Sequence, residues 1–192
     1  SDINLGTGSL TKTGVGVHNL AGTNTYSGAT TIDGGLVILT GTLDATATVS
    51  ITGSLRLGAS DRIVDTANLI GEAGGTLYAD SFNETLGTLD INGAFSIDFG
   101  SGAAALVFSD SDLQDWGAST LTLVNFTPGI DSLRFGTDGT GFDPQLGLIR
   151  FAEFEGIAAE IDASGFIQIP EPGSVALLGA GLTLLGLRRR RS

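Results

Sequence analysis

The chain has no cysteine and no methionine, one histidine, one tryptophan, four prolines and only nine basic side chains in 192 residues. Each shortage excludes something. Without cysteine there is no disulfide scaffold, no thiolate zinc site and no thiol nucleophile. With His18 as the sole imidazole, a Ser-His-Asp triad has one place to be built, and that place is a run of alternating residues where a solvent-facing ladder position is the plain reading. Nine bases against 21 acids give a formal net charge of −12. With Glu171 and the terminal arginines set aside, 20 acids face 5 bases in residues 1–169. A body of that sign repels phosphate backbones, so no nucleic-acid partner is expected. The missing methionine marks the chain as an expected processed protein or fragment, and the lack of a signal peptide then says nothing about export.

What is present is glycine, 30 residues of it, with 41% hydrophobic residues in short alternating runs. Thr30-Thr31-Ile32, Leu36-Val37-Ile38-Leu39, Val49-Ser50-Ile51, Leu55-Arg56-Leu57 and Leu121-Thr122-Leu123 are examples. Thr, Val, Ile and Phe suit a pleated, half-buried surface, and alternation sends one face inward. Asp33-Gly34-Gly35 and Asn92-Gly93 punctuate the runs as turns. Little before residue 105 reads as helix, and the fold class is all-β. The triplet Gly-[Ser/Thr]-Leu recurs at Gly8, Gly41, Gly53, Gly75 and Gly87, with separations of 33 (8 to 41) and 34 (41 to 75, 53 to 87). Fixed recurrence of a turn and a strand start predicts a stacked parallel β-helix, a β-solenoid, over a closed barrel or sandwich.

Residues 6–39 carry a family resemblance. Gly6-Thr7-Gly8-Ser9-Leu10-Thr11-Lys12-Thr13-Gly14-Val15-Gly16, then Leu20-Ala21-Gly22-Thr23-Asn24-Thr25-Tyr26-Ser27-Gly28, then Thr30-Thr31-Ile32-Asp33-Gly34-Gly35-Leu36 resemble the autotransporter-associated β-strand repeat. His18 departs from its usual Thr or Leu. The resemblance implies a passenger region of a secreted bacterial surface protein built as a parallel β-helix, and residues 61–89 resemble a more degenerate unit. The expected division is a solenoid over 1–104, the end of the solenoid and its cap over 105–169, and a separate signal over 170–192. In the cap, residues 110–116 are expected to make a helical turn, Asp143-Pro144 a helix N-cap and first position, and 121–126 and 149–154 the flanking strands. Trp116 is expected to plug it.

The tail has three parts. Pro170-Glu171-Pro172 precedes residues 173–187, which hold no charge and include Gly173, Leu177, Leu178, Leu182, Leu184, Leu185 and Leu187. Arg188, Arg189, Arg190 and Arg191 follow. Fifteen residues of helix span about 22 Å against a hydrocarbon core of roughly 30 Å. Arginine stems snorkel to the interface and extend that span, so a single C-terminal transmembrane helix is predicted. Positive residues stay on the cytoplasmic side, which places the acidic body outside the cytoplasm. The order of motif, apolar segment and arginine cluster resembles the PEP-CTERM sorting signal. That resemblance implies recognition by an exosortase, a membrane-embedded, transpeptidase-like cysteine protease that cleaves near Pro-Glu-Pro.

Catalytic and metal chemistry has few candidates. Glu153 and Glu155 share a face if residues 151–155 are a strand, with carboxyls roughly 7 Å apart, and Asp110, Asp112 and Asp115 form a second acidic group. A solvated acidic face is the plainer reading of both, and no enzyme activity or cofactor is expected. Asp110-Ser111-Asp112 and Asp138-Gly139-Thr140-Gly141-Phe142-Asp143 offer oxygens to calcium, although neither fits an EF-hand loop. The expectation is an exported cell-surface, outer-membrane or extracellular-matrix protein with a structural or interaction role, whose partners are an exosortase-type protease, the membrane and extracellular polysaccharide. The competing readings are a polysaccharide-active β-helix enzyme and an adhesin fragment.

Overall fold

Strand, bend and strand recur along the chain, and each turn of chain lies on the one before it. A computed structural model describes residues 2–170. The first rung holds β1 (Leu10–Lys12), β2 (Val17–Leu20) and β3 (Thr23–Asn24), and the second β4 (Thr30–Ile32), β5 (Leu36–Leu39) and β6 (Thr42–Leu43). The third holds β7 (Thr48–Ile51) and β8 (Ser54–Leu57), with a lone bridge at Ile63 on its remaining side. Next come β9 (Asn68–Glu72), β10 (Thr76–Tyr78) and β11 (Glu84–Leu86), then β12 (Leu89–Asn92), β13 (Ala94–Asp98) and β14 (Ala105–Phe108). The last rungs hold β15 (Thr120–Val124), β16 (Ser132–Phe135), the four-residue helix α1 (Asp143–Leu146) and β17 (Ile149–Phe151). An antiparallel pair, β18 (Glu160–Ile161) and β19 (Ile167–Gln168), finishes the described chain.

The rungs stack into a first sheet β1-β4-β7-β9-β12, a second sheet β2-β5-β8-β10-β13-β15-β17, and a third side made of β3-β6 and β11-β14-β16. All pairings within these sheets are parallel. The body is an all-β solenoid. Among the described residues no helix is long and apolar enough to cross a membrane, and the expected anchor at 173–187 lies outside them.

The rung length differs from the sequence period. Leu10, Thr30, Val49, Leu69 and Leu89 stack on one another at spacings of 19 or 20 residues. The separations of 33 and 34 therefore do not measure a rung. Gly8-Ser9-Leu10 and Gly87-Thr88-Leu89 lead into the first sheet, Gly53-Ser54-Leu55 and Gly75-Thr76-Leu77 into the second, and Gly41-Thr42-Leu43 into the third side. The triplet marks the start of a strand on any side, so its spacing mixes sides.

Inside, one ladder runs Val37, Leu55, Leu77, Ile97, Leu123 and Phe151, all buried. Each such side chain contributes roughly 1.5–3 kcal/mol by leaving water. Gly71 interrupts a second ladder between Ile51 and Ile91, and a Cβ there would strike the ring of Phe95 from the facing sheet. The missing side chain is thus the socket for Phe95. Gly35 turns the chain between β4 and β5 at φ +67, where a Cβ would meet the Gly16 carbonyl one rung below.

The third side is broken between Ile63 and Glu84. Glu84 is buried, and its two carboxylate oxygens accept the backbone N–H groups of Arg62 (2.8 Å) and Ile63 (3.3 Å). A side chain here satisfies donors that a backbone ladder satisfies elsewhere.

Beyond residue 105 the details depart from expectation. Residues 110–116 form a turn without helix. The helix N-cap is Phe142 and Asp143 is the first helical residue, because the Phe142 ring is drawn inward to stack on Phe135 at 4.2 Å. The strands are 120–124 and 149–151, shorter than expected, since the chain turns at 152 with Phe154 N–H donating to Phe151. Trp116 is buried, set edge-on to Phe142 at 5.6 Å, and donates to the Leu89 carbonyl at 3.2 Å.

Candidate functional site

Pro170-Glu171-Pro172 follows the last described strand, β19. β19 holds Ile167 in the core, and Ile169 and Pro170 follow half-buried. The segment that leads into β19 is tied to the body from several directions. Phe135 N–H donates to the Gly165 carbonyl at 2.8 Å, Arg134 Nε to the Ser164 carbonyl at 3.0 Å, and the Arg134 guanidinium sits 5.4 Å from the centre of the Phe166 ring. Asp162 Oδ1 accepts from Ser164 N (2.8 Å) and Phe166 N (3.0 Å). The Phe166 bond and then the Ser164 bond hold this carboxyl below the usual carboxylate range. A cavity of about 150 Å³ between Phe126, Pro128, Asp131, Phe166 and Ile169 sits beside the exit. Of the motif, only Pro170 is among the described residues. Glu171, Pro172, the apolar residues Gly173, Leu177, Leu178, Leu182, Leu184, Leu185 and Leu187, and Arg188, Arg189, Arg190 and Arg191 lie outside them.

The carboxylate candidates do not converge. Residues 151–155 are not a strand, so the common face assumed for Glu153 and Glu155 is not formed. Both are exposed, and Glu153 Oε1 accepts the Asn125 N–H at 2.7 Å. Asp110 Oδ1 accepts from Asp112 N at 3.2 Å, while the buried Ser111 hydroxyl accepts from Leu89 N (3.0 Å) and donates to the Ser109 carbonyl (2.8 Å). Asp138 closes on the hydroxyl and N–H of Thr140, which lower its pKa in that order. These turns use their oxygens on their own backbone. Among the described residues no three His, Asp or Glu side chains are grouped to hold a metal ion.

Sequence reading passed over two sites. Glu84 falls within the degenerate repeat unit at 61–89, with no sign there that it points inward. Burial, foremost, and the charges of Asp61 and Asp65 push its pKa up to about 7 against the opposing backbone hydrogen bonds. The only available signal was its place two residues before Leu86 in an alternating run.

The second site is the N-terminal mouth of the solenoid, a cavity of about 320 Å³ lined by Leu10, Lys12, His18, Leu20, Ile32 and Val37. His18 is exposed, yet it pairs with the buried Val37, so its position faces inward in the first described rung. Lys12 pairs with Ile32 in the same way, and its Nζ donates to the carbonyls of Thr13 (2.8 Å), Gly14 (2.8 Å) and Gly34 (3.1 Å). They are the chain's only lysine and only histidine.

Comparison with known families matches residues 168–191 to the PEP-CTERM protein-sorting motif. No curated protein and no solved structure matches the chain. The match starts inside β19 and runs through the arginine cluster. The chain therefore carries a PEP-CTERM sorting motif on a β-solenoid body, which implies an exported protein that is membrane-associated while an exosortase-type enzyme processes it.

Proposed function

We propose that the chain is a bacterial cell-surface or extracellular-matrix protein whose solenoid acts as a structural or interaction element and not as an enzyme. One observation carries the reading: the sorting motif begins within the last described strand, with no linker between them. The apolar segment and arginine cluster stop transfer, Pro170-Glu171-Pro172 presents the region to be cut, and the solenoid is left outside. The two prolines fix φ and keep that region extended, and Pro172 is suited to begin the helix. In this reading residues 6–39 are an autotransporter-associated repeat of passenger type, and residues 173–187 are a transmembrane helix.

The non-enzymatic reading is supported by what the acids do. Glu84, Glu153, Asp131 and Asp162 each accept backbone N–H groups at bends, which is structural work. Extracellular polysaccharide is the proposed contact of the outward polar ladders, such as Ser54, Thr76, Ser96 and Thr122. In cells carrying the sorting enzyme, Glu171→Ala or deletion of residues 188–191 is expected to leave uncleaved or mislocalised protein. Normal export and processing of both variants contradicts the sorting assignment.

A further inference from the structure

The sorting match and the folded body share residues. The match opens at Gln168, inside β19, and Gln168 pairs with Glu160 across the antiparallel β18–β19. Ile169 and Pro170 follow half-buried, with Ile169 packed against the core. Gln168 and Ile169 also line the cavity of about 150 Å³, together with Phe126 and Pro128. An enzyme cleft that closes round the start of the motif needs both faces of the chain there, and one face lies on the solenoid. Residues 168–170 therefore have two claimants, the fold and the enzyme.

The segment just ahead of β19 is what holds it down. Arg134 and Phe166 face each other across an isolated antiparallel bridge between β16 and this segment. The Arg134 side chain acts twice there, Nε donating to the Ser164 carbonyl at 3.0 Å and the guanidinium lying over the Phe166 ring at 5.4 Å. Gly165 accepts from Phe135 N–H at 2.8 Å. Its φ is +84, and a Cβ on it would strike the carbonyls of Phe135 and Asp138, so glycine is what lets the segment lie this close. Within β19, Ile167 is buried and Gln168 exposed. A two-residue strand held by so few contacts belongs to the low end of local stability, where segments open without global unfolding. Its release costs the solenoid no ladder, because β18 and β19 form a sheet of their own, apart from the three stacked sides.

We propose that β19 is a latch on the sorting signal: processing requires residues 168–170 to lift off β18 and the solenoid, and Arg134 is the positioning residue that holds the latch down. The proposal rests on the sorting reading and adds a closed state to it. With the latch down the enzyme is denied the start of its signal, and cutting proceeds through the lifted minority, at a rate set by that population. Lifting undoes the Glu160–Gln168 pair, exposes Ile167 and strains the bridge at Arg134, while the parallel rungs stay as they are.

The absence of cysteine allows the latch to be locked and unlocked covalently. Glu160 and Gln168 are exposed antiparallel partners. Such partners have Cα atoms about 4.5–5.5 Å apart, within the span of a disulfide. The full chain carrying Glu160→Cys and Gln168→Cys is oxidised, freed of oxidant and mixed with detergent-solubilised membranes of cells that carry the sorting enzyme. Loss of the C-terminal segment is followed by mass spectrometry. The oxidised form is expected to be cut about tenfold more slowly than the reduced one, with wild type indifferent to the same treatments. Arg134→Ala, which removes one hydrogen bond and one ring contact, is expected to be cut about tenfold faster than wild type. Gly71→Ala, which strains the regular rungs and leaves β19 alone, is expected to keep the wild-type rate. Equal rates for the oxidised and reduced forms, or an Arg134→Ala rate equal to wild type, overturn the proposal. Gly71→Ala cut as fast as Arg134→Ala also overturns it, because global unfolding would then feed the enzyme. Glu171→Ala separates this proposal from the reading beneath it. Wild type cut and Glu171→Ala uncut support sorting whatever the latch does, whereas both cut alike, or neither cut, removes the sorting reading and the latch with it.

Discussion

Between residues 30 and 91 the interior is aliphatic and successive rungs lie 18 to 22 residues apart, whereas Phe95, Leu121 and Ile149 stack at spacings of 26 and 28. The extra residues of the later rungs go into bends, and those bends send Trp116 and Phe142 inward to join Phe108 and Phe135. Regular short rungs close their interior with one branched side chain per ladder position. Irregular long ones close it with rings from outside the ladders. The same contrast separates the first and last described rungs: Lys12 and His18 take inward positions in the first, and aromatic rings fill the last.

The largest effect that sharpens this comparison is expected at Phe135, whose ring touches Phe108, Phe142 and Trp116. Phe135→Ala should cost about 3–5 kcal/mol in urea unfolding. A loss of less than about 1 kcal/mol would mean that the rings do not seal the end.

Next is Glu84, at the break in the third side. Its folded pKa, about 7, stands above the unfolded value of 4.5, so the native state holds the proton more tightly between those values. Stability contributed by this group is therefore full at pH below 4.5, falls as pH rises towards 7, and is flat above. The fall amounts to about 3 kcal/mol. The difference between wild type and Glu84→Gln, followed by chemical unfolding from pH 4 to pH 8, isolates it from the other acids; a difference that does not change with pH would remove the buried-carboxylate account.

In the regular rungs, Gly71→Ala should destabilise by about 1–3 kcal/mol, because the new methyl meets the Phe95 ring. An unchanged midpoint would show that Phe95 has room to move. The smallest effect is expected in the first described rung, where Val15→Ser, a change at an exposed side chain, should stay within about 0.5 kcal/mol of wild type.

Much of this was legible beforehand, and the reason is local. Alternation in runs such as Leu36-Val37-Ile38-Leu39 directly reports which side chains face inward, so the β class and the stacking could be read without tertiary knowledge. The tail was legible because its three parts are contiguous. Rung length was not, because Gly-[Ser/Thr]-Leu marks strand starts on all three sides and hides the 20-residue turn behind a longer interval. The inward positions of Lys12, His18 and Glu84 were hidden too. Residue type argues for an outward place, and only the pairing partners Ile32, Val37 and Leu106 reveal the inward one. Phe142 took the N-cap from Asp143 for a tertiary reason, its stacking on Phe135, that no local pattern encodes.

The central claim is that the solenoid is delivered outside the cell and freed from its C-terminal signal close to its last described strand. Mass spectrometry of the mature C-terminus, on protein recovered from cells that carry the sorting enzyme, tests it directly. The account predicts that the chain ends close to Pro170-Glu171-Pro172, with β19 retained and Arg188, Arg189, Arg190 and Arg191 gone. Mature protein still ending at Ser192, or cut within the solenoid ahead of β18, would contradict it.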